Sequence, residues 1–450
     1  MSNRTLSLIV GGYVLLCIVL GGSAQGKWAN LALQLFGIAL LGLAALYQAE
    51  REPPDRSQML IAGLLIAGLA VVLVQLVPLP ASLWPSLPGR EALHQGFRTL
   101  GYPAPAVPIS EAPYTSLLTL FSAIPAIATF VVVMRLRPDP RWVALAVVAA
   151  TILAILFGAI QVSSGANSWA YLYKINSAGA VGFFANRNHM ATLLLVAIPM
   201  AAALLASAKS DRRSAAGRYA TAGALVVTLM VGIGLNQSFA AYGLALPVLF
   251  ASFALLPATA GWRRVALPVA AVAMFGGIVL LATKPIGTTA IQASATGSVT
   301  SRADIWNTTG KAIAETFPAG TGLGTFEQIY PQYEDPSLVT NQYVNHAHND
   351  YLELVLELGV AGLALIILFL AWWVVAAARI WTSPLSTPYS RAATIVTATI
   401  LAHSVVDFPL RTAAISAIFA VSVAIMAQHL ASAPAPRKGE SRPTRHVKLG

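Results

Sequence analysis

The chain has 450 residues, 57% of them hydrophobic and only 10% charged, with a mean hydropathy of +0.70. Soluble domains carry roughly a quarter of charged residues, so this composition excludes a soluble globular protein and predicts an all-α polytopic membrane protein. The formal charge of +11 does not mark a nucleic-acid binder, because the basic residues are scattered between apolar segments, and the single cysteine, Cys17, excludes both a disulfide framework and a thiolate zinc site.

Apolar stretches long enough to cross about 30 Å of hydrocarbon occur at 5–22, 28–47, 58–77, 114–134, 142–161, 189–206, 219–236, 238–256, 265–283, 351–378, 392–408 and 411–430. They predict about twelve transmembrane helices. With the amino terminus in the cytoplasm, Lys and Arg divide 19 inside against 9 outside, the sign that the positive-inside rule requires, so both termini are expected to be cytoplasmic. The first apolar run lacks a convincing small-residue cleavage site and is read as a retained span. Residues 1–430 read as one polytopic domain. The Pro-rich basic stretch 431–450 reads as a disordered cytoplasmic tail drawn to anionic headgroups of membrane lipids.

Two loops expected on the outer face are long. The first, 78–113, is rich in proline yet carries Trp84, Leu87 and Phe97, which suits an interfacial segment lying on the membrane surface. The second, 284–350, is expected to hold short helices. Its "SRADIWNTTGKAIAET" places Ala303, Trp306, Ala312 and Ile313 at helical spacing with Ser301 as the cap. "FPAGTGLGTF" follows as a Gly-rich loop able to approach other backbone closely; as a phosphate loop it is weak, since no strand precedes it and no Lys-Ser/Thr follows.

The loop closes on "NQYVNHAHNDYLELVLELGVAG", which sets His346, His348, Asn349 and Asp350 against an uninterrupted apolar run. His titrates near neutrality and suits a general base; Arg offers bidentate contacts to phosphate, and both types occur on the expected outer face. The bland readings are that the histidines cap the next helix, that Arg302 is a solvated loop cation and that Arg187 is an interfacial anchor. His189, His403 and Asp407 fall near the outer ends of spans, where ionisable groups imply either a polar cavity or a structural His–Asp bond.

Taken together, "NHAHNDYLELVLELGVAG", "SRADIW…FPAGTGLGTF", "GFFANRNHMATLLL" and "HSVVDFPLRTAAI" resemble the O-antigen ligase and O-antigen polymerase superfamily of bacterial membrane glycosyltransferases, over most of residues 60–430. The resemblance implies an inner-membrane enzyme that transfers a glycan from undecaprenyl diphosphate to an acceptor hydroxyl at the periplasmic face, without metal or other cofactor. The acceptor is lipid A core in ligases and a second lipid-linked glycan in polymerases, and the choice between them stays open. Carried onto this sequence, the catalytic base is His348, with His346 as the second candidate; Arg302 is the first candidate for the diphosphate clamp, followed by Arg187 and Arg411, and Asn349, next to the catalytic His, is a further substrate-binding candidate. Where many relatives carry an Arg after Ser at an outer turn, this chain has Phe239, so Arg187 either replaces it or the clamp is thinner.

Two other function classes fit parts of the sequence. His346-x-His348-x-Asp350 has metal-ligand spacing, with His189 or His403 able to complete a membrane metallohydrolase site, although no paired His-x-x-x-His or Glu-x-x-His signature supports it. About twelve spans would also suit a transporter of polysaccharide lipids. A large outer loop bearing His and Arg, with few charges at mid-bilayer, argues instead for chemistry at the surface.

Overall fold

The computed structural model describes residues 2–24, 26–47, 54–173, 179–208, 215–256, 269, 272, 289–339 and 343–431. In chain order its helices are α1 (Asn3–Leu20), α2 (Lys27–Leu46), α3 (Arg56–Gln75), α4 (Glu91–Thr99), α5 (Pro113–Ser122), α6 (Ile124–Leu136), α7 (Pro140–Ser164), α8 (Arg187–Ser207), α9 (Ala215–Asn236), α10 (Phe239–Phe253), α11 (Thr289–Thr316), α12 (Asp350–Thr382), α13 (Pro388–His403) and α14 (Ala413–Ala431). Every expected apolar stretch except 265–283 falls on these helices, with 114–134 divided between α5 and α6; 265–283 lies almost wholly outside the described residues, as does the tail at 432–450.

The architecture of the described residues is all-α, and length and composition there support seven of the about twelve expected spans. Among the described residues seven helices are long and apolar enough to cross a membrane: α1, α2, α3, the stacked pair Pro113–Leu136, α7, α8 and α12. Ala220–Asn236, Phe239–Phe253 and Ala413–His429 are apolar but shorter. The stretch 392–408 also falls short of its expected length, because the chain leaves the helix after His403 and turns through Ser404–Asp407. Hydropathy cannot detect that turn, since Val405, Val406 and Phe408 are as apolar as the helix before them.

Helices in lipid gain little from hiding apolar side chains from one another, so close packing of small residues has to hold them together. α8 is the most enclosed of these spans. Met190–Ala201 are all buried, and the helix sits among α7, α9, α10 and α13. On the other side of the bundle α14 packs against α6, with α1 and α3 beside it. α8 is also apolar all round, the pattern of a helix without a solvent face. Its first turn is the exception, with Asn186 as the cap accepting from Asn188 N at 2.8 Å.

The loop at 78–113 is more than a surface strip. Trp84 is fully buried, edge-on to His94 and Phe97, and donates its ring N–H to Pro105 O at 2.8 Å. A two-residue antiparallel ladder pairs Pro78 with Pro108 and Leu79 with Val107. The loop also docks on the second one, through Glu111 N to Thr321 O at 2.8 Å. Ser301 is not a helix cap as expected: α11 begins at Thr289, so Ser301 lies inside it, because the Ala-containing residues upstream extend the helix.

The break in α12 fixes the position of the site. A straight helix of 33 residues would run about 50 Å, well beyond the hydrocarbon thickness. At Gly359 the backbone turns to φ 58°, ψ −137°, which ends the helical hydrogen-bonding pattern. The Gly-rich loop takes up the freed groups: Thr321 N donates to Leu356 O at 3.1 Å, Gly322 N to Glu357 O at 2.8 Å, and Val360 N donates to Pro318 O at 3.0 Å. Gln75 Nε2 adds a second donor to Glu357 O at 2.9 Å. Broken helices survive at membrane depth only where such partners exist. The "FPAGTGLG" loop therefore clasps a broken helix, and a Cβ on Gly320 would stand 2.6 Å from Glu357 O and from Gly359 N.

Candidate active site

The start of α8, the middle of α11, the loop before α12 and the turn between α13 and α14 enclose a polar cavity of ≈ 370 Å³. Arg187, Asn188, His189, Ser301, Arg302, His346, His348, Phe408 and Arg411 line it. Four segments far apart in sequence thus converge on one space. Of the residues expected at the site, His346, His348, Arg302, Arg187 and Arg411 come together there. Asn349 does not line the cavity: its side chain caps α12, accepting from Tyr351 N at 3.0 Å and Leu352 N at 3.1 Å. The capping role weighed for the two histidines belongs to their neighbour.

Asp407 is the hub of one half of the site. It is fully buried, and its Oδ1 accepts from its own following amide, Phe408 N, at 2.8 Å. Asn188 Nδ2 donates to Oδ2, and Asn186 Nδ2 lies 3.5 Å from Oδ1. Ser238 donates to Asn188 Oδ1 at 2.8 Å, which orients that amide with its N–H toward Asp407. Three further side chains point at the carboxylate from beyond direct hydrogen-bond range: His189 Nε2 at 3.7 Å, His348 Nδ1 at 3.7 Å and Arg302 at 3.9 Å. Burial alone would push this carboxyl up; the His189 and His348 rings pull the other way, and the net direction is well below the usual carboxylate range. Asp407 is thus a fixed negative charge.

The other half is organised by α12. Asp350, Glu353 and Glu357 fall on one buried face by helical spacing, and Arg411 reaches all three. Its Nη1 lies 3.0 and 2.9 Å from the two Glu357 oxygens and 3.5 Å from Glu353 Oε1, while its Nε lies 3.7 Å from Asp350 Oδ1. Much of the Arg411 charge is therefore matched within the protein, which leaves Arg302 and Arg187 as the more available cations. Glu353 divides its oxygens: Oε1 pairs with His346 Nδ1 at 2.8 Å and Oε2 accepts from Ala347 N at 2.8 Å. Burial would lower the His346 pKa, but the Glu353 carboxylate overcomes it and the net direction is upward.

Phe408 separates the halves. Its ring centroid lies 4.1 Å from that of His346 and 4.9 Å from those of His348 and His189. Trp306 in α11 pins the histidine loop by donating to Ala347 O at 3.0 Å. His348 itself has φ 49°, a left-handed conformation uncommon for a non-glycine residue.

The metal-cluster reading of His346, His348 and Asp350 does not match this arrangement. His346 turns to Glu353, His348 to Asp407, and Asp350 Oδ2 accepts from Ser404 Oγ at 2.7 Å. Among the described residues no group of three or more His, Cys, Asp or Glu is arranged to hold a metal ion. Of the span-end groups, His189 does face Asp407, whereas His403 Nδ1 pairs with Thr192 Oγ1 at 2.7 Å.

Residues 223–367 match the family model described as O-Antigen ligase. That segment is an O-antigen ligase family domain. No curated protein matches the chain. The matched segment contains α11, the Gly-rich loop, His346 and His348 and the broken start of α12; Arg187, Asp407 and Arg411 come from outside it. The match supports a ligase- or polymerase-type role in polysaccharide biosynthesis for a chain with several membrane-spanning helices.

Sequence reasoning missed Glu353 and Glu357 as members of the site. Their signal was available: two acidic residues four apart in "YLELVLELG", an apolar run where ionisable groups are costly and usually face a cavity or a partner.

Proposed function

We propose that this O-antigen ligase family protein transfers a glycan from undecaprenyl diphosphate to an acceptor hydroxyl at the periplasmic face of the bacterial inner membrane. In this reading residues 1–430 form the catalytic domain of about twelve spans, 431–450 a cytoplasmic tail, and the loops at 78–113 and 284–350 lie on the outer side.

The observation that carries the reading is the polar cavity, in which imidazoles backed by buried carboxylates face Arg187 at the start of α8 and Arg302 in the middle of α11. His348 takes the acceptor proton as the new glycosidic oxygen–carbon bond forms, with the Asp407 carboxylate 3.7 Å behind its Nδ1. The bond from the anomeric carbon to the diphosphate breaks, and its electron pair leaves on the phosphate oxygen. Arg302, with Arg187, holds that charge. Arg187 lies beside the turn that carries Phe239, where its backbone carbonyl accepts from Asn236 Nδ2 at 2.9 Å. A lipid-linked donor is further supported by an apolar cavity of ≈ 460 Å³ among α3, α5, α6, α12 and α14. Asp350 and Leu410 line it and lie next to Arg411 of the polar cavity.

The test is purified protein in lipid nanodiscs with an undecaprenyl-diphosphate glycan and, separately, lipid A core or more of the same donor as acceptor. One capped product identifies a ligase and a ladder of repeats a polymerase. Transfer is expected to survive a chelator. Loss of transfer restored by one divalent ion would replace this reading with metal-assisted chemistry, and movement of donor between leaflets without transfer would replace it with transport.

A further inference from the structure

Two histidines with carboxylates behind them face one cavity, yet one transfer needs one base. The two pairs differ in geometry. His348 Nδ1 stands 3.7 Å from Asp407, a carboxylate also approached by Asn188, His189 and Arg302. His346 Nδ1 is in direct hydrogen-bond contact with Glu353 at 2.8 Å, and Glu353 is almost completely buried. A carboxylate accepts only, so Nδ1 of His346 carries the proton and Nε2 is the nitrogen left to the cavity that the ring lines. The surroundings favour a second proton at that position. The Glu353 carboxylate lies directly against His346 on one side and 3.5 Å from Arg411 on the other, so a negative charge stands beside the ring where a second proton would add a positive one. The Phe408 face at 4.1 Å also accommodates a cation.

Building on the transferase reading above, we propose that His346 is an imidazolium donor that grips the diphosphate through Nε2–H, and that Glu353 is the positioning residue that fixes it in that role. During transfer the acceptor proton goes to His348, while His346 keeps its own proton and hydrogen-bonds the departing phosphate oxygen. Glu353 also holds the loop through Ala347 N, so one carboxylate sets both the tautomer of His346 and the height of the ring above the cavity. The upward direction of the His346 pKa agrees with this role.

The probe is a short-chain polyprenyl diphosphate glycoside, whose two diester charges do not titrate near neutrality, so any pH dependence of its binding belongs to the protein. The other titratable and charged groups around His346 are Glu353, Glu357 and Asp350 of α12, Arg411 and Asp407 of the turn before α14, His348 of the same loop, and His189, Arg187, Arg302 and Glu327 around the cavity. A raised pKa means that the imidazolium is complete at low pH and lost as pH rises through the folded value. Wild-type affinity is therefore expected to fall over that range, and the fall should persist in His348→Gln. Glu353→Gln and His346→Gln should each weaken the probe by roughly tenfold or more, remove the pH dependence, and raise the donor KM more than they lower kcat.

Affinity independent of pH in the wild type, a measurement that needs no variant to fold, overturns the proposal. A pH dependence that disappears in His348→Gln overturns it as well. So does a folded His346→Gln or Glu353→Gln that binds the probe like the wild type but loses kcat, since His346 would then be the base. Wild type that neither binds the probe nor transfers glycan overturns the transferase reading itself, a different result from silent variants in an active enzyme.

Discussion

His348 stands out at the residue scale because its backbone is held at φ 49° and its ring is aimed at a buried anion. Strain of this kind costs about 1–3 kcal/mol and persists only where the surroundings impose it. Asn tolerates the left-handed region better than most residues, so His348→Asn removes the imidazole with little backbone penalty. Turnover in a single-turnover assay is expected to fall by about 10²–10⁴, the usual cost of a lost general base, while donor binding survives. Near-normal turnover would remove His348 from the chemistry. Arg302 predicts a different pattern. Arg302→Ala should weaken donor binding and slow transfer together, and Arg302→Lys should rescue poorly because a point charge cannot reproduce a planar fork. Full activity in the Lys variant would mean that Arg302 supplies charge alone.

At the scale of elements, the break in α12 and the Gly-rich loop form one device. The loop's backbone satisfies the groups that the break releases, and the break lets Glu353 and Glu357 face Arg411 while the rest of the helix runs on for the length of a span. A Cβ at position 359 would lie 2.0 Å from Pro318 O and would sit at positive φ. Gly359→Ala should therefore lower the Tm of the purified protein and cost about 1–3 kcal/mol from backbone strain alone; an unchanged Tm would show that the loop can move aside freely. Neither half of the device could be read from the local sequence. Glycines in "FPAGTGLG" announce close approach of backbone, but the partner they approach lies some 35 residues downstream, as the Thr321 to Leu356 contact shows.

At the scale of the whole molecule, helix ends and loops from distant segments meet at one end of the bundle, and the topology follows from which side that end faces. In a background with the buried Cys17 replaced by serine, Ser337→Cys lies in an exposed turn and should react with an impermeant thiol reagent on spheroplasts. Arg212→Cys, in the expected inner loop between α8 and α9, should not react. The reverse pattern would invert the orientation and place the cavity on the cytoplasmic side.

By itself, the sequence determined the class of protein, because burying 57% apolar residues with 10% charged ones leaves membrane helices as the solution that satisfies the backbone. It also determined where most helices lie, and it pointed to His346, His348, Arg302, Arg187 and Arg411 through residue type and resemblance. What only the tertiary structure decided is which charges meet. Asp407 looked like one more polar residue at a span end, and it became the hub because α13 stops at His403 and turns back toward α8 and α11. Arg411 looked like a clamp and proved to be matched by three carboxylates from a helix 54 to 61 positions earlier, with Glu357 the nearest in sequence and in space. Asn349 looked like a substrate-binding residue, and its side chain caps α12. Hydropathy and spacing act along the chain, whereas charge pairing acts through space, and only the packed bundle sets those distances.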